Sequence, residues 1–351
     1  MPKASRQERK NIVNLAAMIL VTGGTGLVGS HLLYALIAQG EKNIRATYRT
    51  PKSIDAVADL FRWKNEQVQA TPAAFETIEW VEADVTDIPA LTEAFQGVDY
   101  VYHCAALISF NPKRFNRLQK INVEGTANMV NLSLEFGVKK FGYVSSVAAL
   151  GESKKAITEE THWEANKDNS VYSISKFASE LDVWRGTEEG LDAVIVNPGV
   201  VLGEGFYSSG SGAFFRQVKK GLRYNVPGAS GFVDVQDVVK ALLQLMQSEI
   251  KNERYILVGY NLKFEDLFQQ IAQSLGVQPP SKMLKKWQLE LAWRLDWLAG
   301  LFGKKRKLFR STARSAYSES VYNSAKLKKE LNFEYTPLSE TLKRIARHLS
   351  R

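Results

Sequence analysis

Residues 19–33, ILVTGGTGLVGSHLL, change character at one point, where an apolar, strand-like run gives way to Gly23, Gly26 and Gly29 and then to an apolar helix. Glycines at this G-x-x-G-x-x-G spacing let the chain turn tightly and let its backbone approach a pyrophosphate. The N-terminus of the following helix offers free N–H groups and the positive end of its dipole. Strand, glycines and helix fall in register, which identifies Gly23, Thr25, Gly26, Leu27, Val28 and Gly29 as a dinucleotide-binding turn.

From Met18 onward, short β-branched runs alternate with amphipathic stretches: MILVTG, NIRATY, IEWVEADV, DYVYHCAA, KFGYVSSVA, DAVIVNPGV and RYILVG. Runs of this kind are what buried parallel strands joined by crossover helices look like, so a doubly wound α/β (Rossmann) sheet is predicted. The alternation loosens after Pro198, where Gly and Ser cluster in GEGFYSSGSG, and becomes mainly helical after Lys263. The expected organisation is a loose tail at 1–17, a dinucleotide-binding domain at 18–200, and a smaller, mainly helical substrate lobe at 201–351 interleaved with the sheet. Residues 1–17 are basic and polar with no apolar core, and Met18 as the true start fits the sequence equally well.

With 351 residues and 45% hydrophobic content, the chain can bury a large core. Its single cysteine, Cys104, cannot form an internal disulfide, and no run of about 18 apolar residues occurs, which points to the cytoplasm. The four histidines lack metal-site spacing, so no metal is expected. The net charge of +9 is concentrated: residues 281–310 hold nine basic side chains against Glu290 and Asp296. No recognition motif accompanies this charge, so nucleic acid is not an expected partner. A small-molecule substrate is, and the sequence leaves room for a homodimer.

The second strand ends in RATYRTP, with Arg49 where a carboxylate would hold the ribose 2′-hydroxyl of NAD. A guanidinium there suits the 2′-phosphate of NADP, with Tyr48 or Arg45 as helpers; the alternative is a solvated surface arginine. Asp84, with Val85 beside it, ends the third strand where adenine would lie, or simply forms a turn. Ala105 and Ala106 end the fourth and are small enough for a cofactor to lie against.

Tyr172 and Lys176 stand four apart on a predicted helix whose apolar stripe runs Ile174, Phe177, Ala178, Leu181, which places both polar tips on one patch. An adjacent ammonium favours the phenolate and brings the tyrosine pKa nearer the working range. Upstream, YVSSVA ends a strand in Ser145 and Ser146, placing a hydroxyl at the carboxyl edge of the sheet where ligands of open α/β sheets bind. His103 lies inside a strand and reads as a satisfied core histidine.

Taken together, TGGTGLVG, DVTD at Asp84, HCAA at His103, INVEGT at Asn122, YVSS at Ser146, YSISK at Tyr172, NPGVVLG at Pro198 and FVDVQDV at Asp237 carry a family resemblance from Met18 to about Leu342. The chain resembles an extended short-chain dehydrogenase/reductase of the NAD-dependent epimerase/dehydratase superfamily, and RATYRTP resembles its NADP-dependent dihydroflavonol reductase branch. The resemblance implies Ser146, Tyr172 and Lys176 as a catalytic triad, with Asn122 linked to the lysine through water. It also implies that backbone after Pro198, through Val200, holds the nicotinamide carboxamide. It places Phe110, Val147, Leu150, Phe206, Tyr207 and Phe214 around a pocket suited to a bulky apolar ketone or alcohol; core packing is the alternative reading of the same six residues. The arginines typical of sugar-nucleotide enzymes are not recognisable in the C-terminal lobe. The expected activity is an NADP-dependent ketone–alcohol interconversion. The alternatives are a nucleotide-sugar epimerase or dehydratase, a 3-beta-hydroxysteroid-type dehydrogenase, and a dinucleotide-binding regulator without turnover, against which retention of the triad speaks.

Residues 283–310 combine Trp287, Trp293, Trp297 and several leucines with GKKRKLFR. Such a segment could lie on an anionic bilayer surface. The favoured expectation is a helix whose apolar face packs on the sheet with its lysines solvated, because Glu290 and Asp296 interrupt it and its apolar positions spread around the circumference.

Overall fold

The computed structural model describes residues 17–351 apart from 69–71, 154, 167, 303–305 and 307. Residues 1–16 of the expected tail, and Lys304, Lys305 and Lys307 of the basic cluster, lie outside the described residues. The first half alternates β1 (Met18–Thr22), α1 (Leu27–Ala38), β2 (Ile44–Tyr48), α2 (Lys52–Gln67), β3 (Ile78–Glu82), α3 (Ile88–Ala94) and β4 (Val98–His103). It continues through α4 (Phe115–Leu118), α5 (Gly125–Glu135), β5 (Lys140–Val144), α6 (Val171–Glu188) and β6 (Ala193–Pro198). Next come β7 (Val200–Leu202), α7 (Gly212–Lys219), β8 (Tyr224–Asn225), β9 (Ala229–Asp234), α8 (Val235–Gln247) and β10 (Glu253–Leu257). The chain ends with β11 (Tyr260–Lys263), α9 (Phe264–Leu275), β12 (Lys282–Met283), α10 (Lys286–Leu301), α11 (Arg310–Ser315), α12 (Ala325–Leu331) and α13 (Leu338–Leu349).

All seven anticipated runs enter one parallel sheet in the order β10-β6-β5-β4-β1-β2-β3. The order reverses between β1 and β4, and the carboxyl ends of these two strands open the crevice where ligands of such sheets bind. Side chains alternate across the sheet. Ile19 and Val21 of β1 join Leu32, Val57, Phe61 and Leu242 from α1, α2 and α8, whereas Leu20 joins Leu91, Val130 and Val183 from α3, α5 and α6. Both faces are thus covered, the physical reason these strands read as unbroken apolar runs.

The later chain builds a second layer: a small sheet, β11-β9-β7, packs with α7, α9 and α13 around Leu202, Phe215, Phe232, Ile271 and Ile345. Between its strands the chain returns to the main sheet as β10. A buried ion cluster ties the two layers together. Glu204 lies 3.4 Å from Lys64 of α2 and 3.0 Å from Arg344 of α13, and Arg344 also grips Asp234 at 2.7 Å. Burial alone would raise the Glu204 carboxyl, but His31, Arg344 and Lys64 around it hold it below its ordinary range.

Two sequence expectations need correcting. The buried face of α6 is not the stripe Ile174, Phe177, Ala178, Leu181. It is Tyr172, Ser175, Lys176, Ser179, Glu180, Val183 and Gly186, while Leu181 is 52% exposed. Small serines and Gly186 let α6 approach α5 closely, and a Cβ on Gly186 would stand 2.5 Å from Val130. The polar members find partners inside, and Tyr172 and Lys176 share one face as their spacing predicts.

α10 forms, but it does not pack its apolar face on the sheet. Leu289 is its one buried residue, whereas Trp287 is 61% exposed and Phe302, just past its end, 86%. Helices already cover both faces of the main sheet, so no strand surface remains for it, and α10 lies instead against the short α11.

Candidate active site

The glycine turn follows β1 at the crevice. Gly23 adopts φ +68°, and its carbonyl accepts a 2.9 Å hydrogen bond from Gly26 N–H. A Cβ on Gly23 would stand 2.6 Å from Ala105 N, and one on Gly29 would stand 2.2 Å from the Gly23 carbonyl oxygen. The turn therefore has no room for side chains at these two positions. α1 starts at Leu27 with Gly26 as its cap and no side-chain capping bond, which leaves its first N–H groups for an anion. Thr25, Leu27 and Val28 are half-buried around it. This cradle fits a dinucleotide pyrophosphate.

At the neighbouring strand tips, the Arg49 guanidinium lies 3.8 Å from the Asp84 carboxylate, with the arginine side chain 59% exposed. Asp84 also accepts from Thr86 N–H at 3.0 Å and Thr86 Oγ1 at 2.8 Å, the turn-forming reading of that residue. Val85 is buried, its side chain filling the space a Cβ on Gly125 would need. Arg45 is unsuited to help Arg49. It is spent on Glu79 at 2.9 Å and on the carbonyls of Ala94 and Gln96 at 2.7 and 2.8 Å. Tyr48 packs edge-on against Trp80. Ala105 donates its N–H to Thr22 Oγ1 at 3.4 Å, and Ala106 beside it is exposed.

Across the crevice, Ser146 stands just beyond the end of β5, where its Oγ caps a short turn by accepting from Ala148 N–H at 3.1 Å. It also acts on the Tyr172 hydroxyl, favouring its ionised form. Ser145, its neighbour in the pair, is buried. Tyr172 and Lys176 share the inner face of α6 at 8% and 1% exposure. The lysine approaches differently from the simple pairing expected: its Nζ donates to Tyr143 Oη at 2.7 Å and to the Val144 carbonyl at 3.0 Å. Burial raises the Tyr172 pKa, outweighing the downward pull of Lys176 and the Ser146 hydrogen bond, so the phenol holds its proton. Burial lowers that of Lys176, opposed by Tyr172 and Glu180.

Asn122 occupies a π-helical turn, Gln119–Glu124. Its amide brackets Leu107, accepting from the N–H at 2.7 Å and donating to the carbonyl at 3.0 Å, and it also donates to Ser175 Oγ at 3.0 Å. Its own carbonyl accepts from Ser179 Oγ at 2.8 Å. Asn122 thus locks α6 to the loop after β4. Pro198 ends β6 in the buried sheet, and Val200 opens β7 half-buried.

Among the six residues assigned to a pocket, Phe110 packs on Tyr172, edge-on at 5.7 Å. Leu150 belongs to a small core with Ile157, Ile256 and Val258, against which Val147 is packed. Tyr207 donates to the Ile345 carbonyl at 3.2 Å, and Phe214 stacks edge-on against Phe268 in the second layer. Phe206 is half-buried. His103 is the core histidine expected, bonded on one side to Thr22 at 2.7 Å and on the other to Thr126 at 3.1 Å, with burial lowering its pKa to about 3.

The model of the NAD dependent epimerase/dehydratase family matches residues 19–259, glycine turn and Tyr172–Lys176 pair included. The chain belongs to this family. Its relatives include sterol demethylase protein B of Methylococcus capsulatus, 31% identical over 74% of this chain and 75% of that protein. Another is a putative dihydroflavonol 4-reductase of Synechocystis, 25% identical over 94% of both chains. The fold is similar to the crystal structure of gox2253, with a TM-score of 0.77, 29% identity, and coverage of 95% and 98% of the two chains. As a family member the protein is an NAD(P)-dependent oxidoreductase, and the dinucleotide cradle described above fits that class.

Sequence reasoning missed Tyr143, although it quoted the strand that carries it. Its position three before Ser146 was the available signal. It also missed Asn197, buried in β6, whose amide bridges the Ser146 carbonyl at 3.0 Å and Glu180 at 2.5 Å, fixing strand end to helix.

Proposed function

We propose that this protein is an NADP-dependent reductase or dehydrogenase that interconverts a ketone and a secondary alcohol on a small, apolar substrate. The observation that carries this reading is Ser146 at the carboxyl end of β5, capping a turn that packs on α6, whose buried face carries Tyr172 and Lys176. In the direction of reduction, the substrate carbonyl oxygen lies between the two hydroxyls. Ser146 donates a hydrogen bond that polarises it, and Tyr172 hands over its phenolic proton as charge develops on the oxygen. The Lys176 ammonium stabilises the phenolate left behind. When bound, the nicotinamide supplies the hydride for the carbonyl carbon.

The NADP preference rests on Arg49, an exposed guanidinium just beyond the end of β2. The apolar substrate rests on Phe110 beside Tyr172 and on Ile108, 62% exposed in the same loop. The lone Cys104 agrees with a cytoplasmic location. The experiment is a panel of apolar ketones and alcohols assayed with NADPH and NADP. Turnover of at least one pair is expected; turnover confined to nucleotide sugars would reject this reading in favour of epimerase or dehydratase chemistry.

A further inference from the structure

Eight of the large apolar side chains exposed among the described residues fall within residues 283–302: Met283, Trp287, Leu291, Leu295, Trp297, Leu298, Leu301 and Phe302. On α10 they are ordered. Trp287, Leu291, Leu295, Leu298 and Phe302 succeed one another at intervals of four, four, three and four, which aligns them in one stripe opposite the buried Leu289. At 16 residues the helix is about 24 Å long. No helix among the described residues is long and apolar enough to cross a membrane.

The charge around this stripe is strongly one-sided. By sequence, residues 281–310 hold nine lysines and arginines and two acids; in the structure both acids are engaged, as are Arg294, Arg306 and Arg310, and among the described residues Lys282, Lys285 and Lys286 stand outside any ion pair. Glu290 accepts from Tyr317 Oη at 2.8 Å, Trp293 Nε1 at 3.1 Å and Arg294 at 2.6 Å. Asp296 accepts from Leu308 N–H at 3.1 Å and faces Arg306 at 3.7 Å. The interruptions that argued against a surface helix are therefore spent on the protein itself.

We propose that α10 docks in the plane of a bilayer containing anionic phospholipid, its Trp–Leu–Phe stripe in the acyl boundary and the neighbouring cations on the headgroups. Charge selects this occupant over a second copy of the chain. Two copies meeting through α10 would bring two basic clusters together, whereas anionic headgroups complement them. On another side of α10, a cavity of about 680 Å³ is lined by Lys286, Glu290 and Arg294 together with Arg310 and Arg314 of α11, and these two arginines hold Asp168. The inference does not depend on the proposed reaction.

The test is sedimentation of the full chain with vesicles of pure phosphatidylcholine and with vesicles of phosphatidylcholine and phosphatidylglycerol in equal parts. Binding to the mixed vesicles is expected, with affinity falling about tenfold or more between low and high salt. Paired Leu295→Glu and Leu298→Glu changes should abolish it while leaving melting temperature and dinucleotide affinity intact. A second readout needs no variant: lipids with brominated acyl chains should quench tryptophan emission. The proposal is overturned by no binding, by equal binding to both vesicles, by unchanged binding of the variant, by absence of quenching, or by lipid-free dimerisation that the same variant abolishes.

Discussion

The Lys176 ammonium donates a 2.7 Å hydrogen bond to the Tyr143 hydroxyl and lies 4.4 Å from the centre of that ring. Tyr143 is itself fully buried and stacked on His103 at 5.4 Å, so the lysine is positioned by the adjacent strand as well as by its own helix. Tyr143→Phe leaves a buried ammonium short of one acceptor. The expected loss is about 1–3 kcal/mol of stability together with a fall in kcat, read by denaturant unfolding and steady-state assay. Unchanged values of both would remove Tyr143 from the positioning role.

Tyr172→Phe removes the proposed proton donor and keeps the ring that packs on Phe110. Turnover should fall by about 10²–10⁴, with dinucleotide affinity by titration little changed. A rate close to that of the wild type would refute the assignment of Tyr172.

The proposed NADP preference turns on the charge of Arg49. NADPH should raise the melting temperature more than NADH, and Arg49→Asp should erase or reverse that difference, as measured by thermal unfolding at low salt. Equal stabilisation of the wild type by the two would dispose of the NADP preference.

Two buried histidines make stability depend on pH. Burial, helped by Lys64 for His31 and by Lys176 for His103, lowers each from 6.5 to about 3. Between these values the unfolded chain binds more protons than the folded one. Stability should therefore be complete above pH 6.5 and decline as pH falls towards 3, by about 1 kcal/mol per pH unit for each histidine. Urea unfolding across that interval measures the slope, and a flat profile contradicts it.

Gly29→Ala tests the cradle. Its Cβ would sit 2.2 Å from the Gly23 carbonyl oxygen, so the turn must open. Dinucleotide binding should weaken at least tenfold and stability should drop by about 1–3 kcal/mol. Wild-type affinity in this variant would show that the turn does not need its close packing.

Local chemistry wrote much of this protein into its sequence. The seven strands were legible because a sheet covered on both faces demands unbroken apolar runs, and the glycine turn because only glycine tolerates the contacts at Gly23 and Gly29. Tyr172, Lys176 and Ser146 were legible as a set because helix spacing and a strand end fix where each side chain starts. What the sequence could not settle was which surface each helix buries. The inner face of α6 is polar, stabilised by Asn122, Asn197 and Tyr143 from distant segments, and the apolar stripe of α10 faces outward because other helices had already covered the sheet. Arg45 reads in RATYRTP as a helper to Arg49, yet it is held by Glu79 and two carbonyls while Arg49 is largely exposed. Periodicity and spacing are properties of neighbours along the chain. Partners for buried polar groups, and the area left over for an apolar face, depend on residues far apart in sequence, and only the tertiary structure brings those together.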